Sequence, residues 1–137
     1  MNHKITARHD ENLSFDAQID DYLIKMDTTD ESSVHAGPSP KKLLLAGLAG
    51  CTGIDVVAIL NKMQVSFSDL QINIDAHLTA EHPKIYDQVT ILFTVKLDEA
   101  DQPKFERAVS LSKEKYCGVS AMFGHFAKMN WEVNYLK

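Results

Sequence analysis

SPKKLLLAGLAGCTGIDVVAILNK, residues 39–62, is the stretch on which the reading of this chain turns. Ser39 is a favoured N-cap, and Pro40 suits the first helical position because its missing N–H is unpaired there in any case. Residues 43–60 are apolar almost all round, broken mainly by Thr52 and Asp55. A helix over 40–62 would be ~34 Å long at 1.5 Å per residue, close to the width of a domain of this size. A membrane span competes with that reading. Asp55 and the three glycines Gly47, Gly50 and Gly53 argue against it, because a central carboxylate is costly in lipid. The segment therefore reads as a helix buried in the middle of the protein. Its small residues, Ala46, Gly47, Ala49, Gly50 and Gly53, would let another backbone come close.

Around this helix lie three segments that alternate at period two. Leu70, Ile72, Ile74, Ala76, Leu78 and Ala80 form one apolar row, and Val89, Ile91, Phe93, Val95 and Leu97 a second. Ala127, Met129, Trp131, Val133 and Tyr135 form the third. Each reads as an antiparallel strand with one face on the core, the first two joined as a hairpin through a turn containing Pro83. Weaker strand patterns occupy 4–8, 13–18 and 22–27. The polar stretch 28–40, with Gly37, Pro38 and Pro40, reads as a loop. A second helix is expected over 102–116, capped by Asp101 and stopped at Gly118, then a short helix over 119–127. Strands, long helix, hairpin, helix and strand in that order make an α+β domain, not a wound βαβ one.

With 137 residues, 45% hydrophobic and 24% charged, the chain has the length and mix of one globular domain. Acidic side chains outnumber basic ones 19 to 14, a net charge of −5, and no Lys/Arg run exists to track phosphates. Nucleic acid is thereby excluded as an expected partner. The polar start, residues 1–11, has no apolar stretch for a secretory signal, so the expected location is cytoplasmic and the expected state of the thiols reduced.

Chemistry then falls to Cys51 and Cys117, 66 positions apart. On spacing alone, two separated cysteines without a CxxC motif read first as small apolar residues in a core. The six histidines show no HxxxH spacing. His77 sits on the polar side of a strand, and His125 lies within eight residues of Cys117. No metal is expected, and no phosphate loop or nucleophile elbow points to a cofactor. Asp55 follows Cys51 by one helical turn on the same face, where a carboxylate opposes thiolate formation.

The motifs GPSPKKLLLAGLAGCTGIDVVAIL around Cys51 and LSKEKYCGVSAMF around Cys117 resemble the OsmC/Ohr family of thiol peroxidases, over about residues 4–135. The likeness is nearest to the OsmC-like branch with GCTGxD and KYCxVSAM. It implies an OsmC-like fold: antiparallel sheets wrapped around two long central helices in an intertwined homodimer. It implies that Cys51 is the peroxidatic thiol, attacking an organic hydroperoxide to become a sulfenic acid. Cys117 would then resolve it to a disulfide that a dithiol reductant reopens. Met122 and Phe123 are candidates to line an apolar substrate pocket, with ordinary core packing as their other reading. The family's thiol-activating arginine is held by a glutamate ten residues before the first cysteine. Lys41 stands at that position here, and the two arginines present are Arg8 and Arg107. Lys41 or Lys42, in the same or a partner chain, would be the substitute cation. The alternative is a redox-sensing or small-molecule-binding dimer that keeps the fold and turns over little.

Overall fold

A computed structural model describes residues 1–31 and 35–137. The chain divides into two compact units, Met1–Ala46 and Gly47–Lys137.

In the first unit, β1 (Thr6–His9), β2 (Phe15–Ile19) and β3 (Tyr22–Met26) form an antiparallel sheet in that order. The three weak strand patterns are thus real strands. Asn12 and Asp20 take positive φ at the two turns, a conformation that Asn and Asp tolerate better than most residues. Of the expected loop over 28–40, residues 32–34 lie outside the described residues. Its two sides are gathered by Asp27, whose buried carboxylate accepts the N–H groups of Thr28 at 2.7 Å and Ala36 at 3.0 Å. At Gly37 a Cβ would collide with the Lys25 carbonyl, so the loop runs there only with glycine.

Pro40 opens α1 (Pro40–Lys62), and the Ser39 hydroxyl accepts the Lys42 N–H at 3.2 Å as the cap. The helix ends in a Schellman arrangement: Gln64 has φ 58°, its N–H bonds the Asn61 carbonyl, and the Val65 N–H reaches back to Leu60. Leu60 and Val65 are both buried beside this stop. The helix is long and apolar enough to cross a membrane by composition. Only one stripe is buried, however: Leu48, Thr52, Val56 and Leu60. Ile54 is 72% exposed, and a Cβ on Gly47 or Gly50 would meet nothing within 4 Å. The expectation of a wholly buried helix therefore fails for the single chain. Gly53 is different, since a Cβ there would sit 2.9 Å from the Cδ1 end of the Ile72 side chain, which would have to shift.

The second sheet has the order β4 (Ser68–Leu78), β5 (Tyr86–Lys96), β6 (Lys128–Tyr135). β4 and β5 form the expected hairpin, with a bulge between Ser68 and Gln71 at the positive-φ residue Asp69. β6 pairs with β5 in parallel, correcting the expectation of an antiparallel third strand. The helices between β5 and β6 form the crossover that a parallel pair requires. Val89, Ile91, Phe93 and Val95 on the central strand are fully buried. Phe93 stacks on Trp131 at 6.0 Å and meets Phe105 edge-on at 6.2 Å, and Phe105 meets Tyr135 in turn. Such pairs add about 0.5–1.5 kcal/mol each beyond the area they bury.

Between β5 and β6, a 3₁₀ turn (Glu99–Asp101) leads into α2 (Gln102–Leu111). Asp101 precedes α2 but makes no side-chain cap bond. The helix expected over 102–116 does run to Tyr116, but its last turn, Ser112–Tyr116, widens to π-helical. Gly118 does not stop a helix but begins the next one, α3 (Gly118–Gly124).

Candidate functional site: two thiols and a carboxylate

Each residue of the site is placed by one of these local features. Cys51 and Asp55 are four apart on α1, so their side chains leave the same helix face one turn apart. Cys117 is placed by the π turn. Its N–H bonds the Ser112 carbonyl five residues back, at 2.8 Å, and the backbone then turns extended (φ −79°, ψ 99°). A single-turn widening of this kind is common at functional sites, where it re-aims the next residue in the chain. Here that residue is a cysteine serving as the N-cap of α3. Its Sγ accepts the Ser120 N–H at 3.3 Å, and its carbonyl accepts the Ser120 hydroxyl at 3.1 Å.

The result is a close cluster. The sulfurs of Cys51 and Cys117 and a carboxylate oxygen of Asp55 all lie within 4.8 Å of one another. Both thiols are unbridged, Cys117 buried and Cys51 partly so. Asp55 is itself held, since the Ser112 hydroxyl donates to its Oδ2 at 3.1 Å. Next to Cys51, the buried Thr52 hydroxyl bonds back to the Leu48 and Ala49 carbonyls and is satisfied within α1.

Burial pushes the Cys51 thiol above its ordinary range, and the neighbouring Cys117 thiol raises it further. The Val119 backbone, in the first turn of α3, acts the other way. The charges of Cys117 and Asp55 raise it again. The Cys117 sulfur faces an amide in the first turn of α3, that of Ser120. Among the residues of Gly47–Lys137, no lysine or arginine lowers the Cys51 thiol. Arg107 is exposed on α2, and Arg8 is exposed on β1; Lys41 and Lys42 are exposed in the first turn of α1.

The two cysteines named from the sequence are therefore brought together. Met122 and Phe123 part ways: Phe123 is buried against Phe126 at 5.1 Å, while Met122 is exposed. A shallow apolar groove of about 560 Å³ runs along α1 and β4, lined in part by Gly50, Gly53, Ile54 and Ile72, but neither cysteine lines it. Ser112 escapes a reading of the sequence, although a signal exists. It continues the core-facing series Phe105, Ala108, Val109 at helical spacing, where a serine is out of place. His77 is exposed and pairs with Asp87 on the neighbouring strand at 2.7 Å.

Comparison with known proteins agrees with this architecture. Residues 29–132 match the model of the family described as OsmC-like protein. Protein YhfA of Escherichia coli K12 is 33% identical over 93 residues, 68% of this chain and 69% of YhfA. A hypothetical protein of Aquifex aeolicus VF5 superposes with a TM-score of 0.82 at 28% identity, covering 100% of this chain and 99% of its own. The organic hydroperoxide resistance protein OhrB of Bacillus subtilis shares the fold, with a TM-score of 0.65 at 19% identity over 98% of both chains. With its α+β architecture, two three-stranded sheets and paired cysteines, this chain belongs to the OsmC-like family.

Proposed function

We propose that this protein is a thiol-dependent peroxidase that reduces organic hydroperoxides. The observation that carries the reading is the approach of two reduced sulfurs, from positions 66 apart, to within 4.8 Å. In the reaction, the Cys51 thiolate attacks the distal peroxide oxygen, the O–O bond breaks, and the alkoxide leaves as an alcohol after taking a proton. Cys51 is then a sulfenic acid. The Cys117 sulfur displaces its hydroxyl as water, giving a Cys51–Cys117 disulfide. An external dithiol reduces that bond through a mixed disulfide, returns both thiols, and leaves as its own disulfide.

The Ser120 amide donates to the Cys117 sulfur and supplies fixed positive dipole there without a charged side chain. Met122 and Phe123, on the same short helix, are the candidates to line the substrate pocket, the first from its exposed face and the second from its buried one. Activation by a cation requires one from outside Gly47–Lys137, and Lys41 or Lys42, of the same or a second copy, is the candidate. A homodimer also accounts for the half of α1 left uncovered, including Leu44 and Ile54, and for the exposed apolar residues of the first sheet, Phe15, Ile19, Tyr22 and Leu23.

A second reading is favoured by one specific observation. Burial, Cys117 and Asp55 all hold Cys51 protonated. A chain of this design that oxidises once and turns over slowly would be a redox sensor. Treating reduced protein with one equivalent of cumene hydroperoxide and mapping its peptides tests the chemistry. A Cys51–Cys117 disulfide is expected, and two intact thiols would contradict both readings.

A further inference from the structure

We propose that the reduced protein binds a thiophilic divalent cation, zinc in the first instance, between Cys51, Cys117 and Asp55. Three donor atoms within 4.8 Å of one another can converge on one ion with small adjustments. Zinc–sulfur bonds are about 2.3 Å and zinc–oxygen bonds about 2.0–2.2 Å, so ligands of a single zinc stand no more than about 4.6 Å apart. Two sulfurs and one carboxylate oxygen are a donor set for zinc rather than for magnesium or calcium, which take oxygen alone.

The surroundings are built as such a site needs. Cys51 and Asp55 come from one helix face, and Cys117 from a separate segment fixed by the π turn, so the donors are pre-positioned by backbone. Beyond the donors, the Ser112 hydroxyl orients the Asp55 carboxylate. The Ser120 amide donates to the Cys117 sulfur. Outer partners of this kind hold metal ligands in place and tune them. Two thiolates and a carboxylate would repel one another in the cluster, and a dication removes that repulsion. Binding releases the two thiol protons to solvent. Three protein donors leave a fourth position open to water or another small ligand.

The site shares its sulfurs with the proposed peroxidase but does not depend on turnover. Oxidation to the Cys51–Cys117 disulfide consumes both sulfur donors, so the oxidised protein releases the ion. Peroxide and zinc would then compete for the same reduced pair.

The test is titration of the reduced, metal-free full chain with zinc against a chromophoric chelator, and with cobalt(II) while recording thiolate-to-metal charge transfer. One ion per chain is expected, with a charge-transfer band and protection of both thiols from iodoacetamide. Cys51→Ser and Cys117→Ser should each lose the band, and Ser112→Ala should weaken binding by about 10–100-fold. Diamide-oxidised protein should bind none. A lack of stoichiometric binding by correctly folded wild type overturns the proposal. So does affinity unchanged in Cys51→Ser, or lost in a His3→Gln/His9→Gln variant that keeps both thiols. Because no peroxide is present, failure here leaves the peroxidase reading standing, and the reverse also holds.

Discussion

The Ser112 hydroxyl donates to the Asp55 carboxylate at 3.1 Å, joining α1 to the π turn across 57 residues of chain. The bond lies one helical turn from Cys51 on one side and five residues before Cys117 on the other. It therefore holds the two thiol-bearing segments in register. Removing it as Ser112→Ala should cost about 1–3 kcal/mol of stability, because the part-buried carboxylate loses a donor. Disulfide formation after peroxide should slow in the same variant. Denaturant unfolding and stopped-flow thiol loss measure the two effects.

The raised pKa of Cys51 gives a pH dependence with a definite sign. Its thiolate fraction should still be climbing above the usual thiol range of about 8.5, so iodoacetamide reactivity at pH 7 should fall below that of a simple thiol. Asp55→Asn removes a charge that opposes the thiolate and should speed alkylation. The same substitution should weaken zinc binding. Opposite signs in two assays separate an electrostatic effect from a collapsed site. Alkylation rates from about pH 6 to 10, followed by mass spectrometry, give the profile.

Phe93 is fully buried and touches Trp131 and Phe105 from the central strand. Phe93→Ala should destabilise the protein by about 3–5 kcal/mol through lost burial and the cavity left behind. Thermal unfolding by circular dichroism would register this as a large drop in Tm.

Ile54 projects from α1 with 72% of its surface exposed. If a second copy covers that face, Ile54→Lys places an unpaired ammonium in the interface and should shift the protein to monomer. Sedimentation velocity reads the change directly. A wild type that sediments as a monomer would remove the dimer from the account.

Much of the architecture is legible in the residues, for identifiable reasons. Ser39 and Pro40 announce the start of α1, and the alternating rows around Ile74, Ile91 and Trp131 announce strands because strict period two is a signature of one-sided burial in a sheet. Direction is another matter. An alternating row looks the same whether its neighbour runs parallel or antiparallel, so the parallel pairing of β6 with β5 leaves no trace in the pattern. The π turn is hidden for a similar reason. Residues 112–116 are SKEKY, and a polar run carries no mark that a carbonyl will accept from five residues on. Composition does not reveal which half of α1 is covered, since the helix is apolar on every side. The cysteine pair is legible only through the motifs around it, because nothing in a spacing of 66 brings two sulfurs together. Asp55 is visible as a carboxylate in an apolar run, but its partner lies 57 residues away.

The most direct test of the central claim is steady-state consumption of cumene hydroperoxide by the purified protein with dihydrolipoamide as reductant. Turnover is predicted, abolished in Cys51→Ser, and reduced in Cys117→Ser to what external thiols can resolve alone. No turnover from folded protein with both thiols reduced would contradict the peroxidase and leave the sensor.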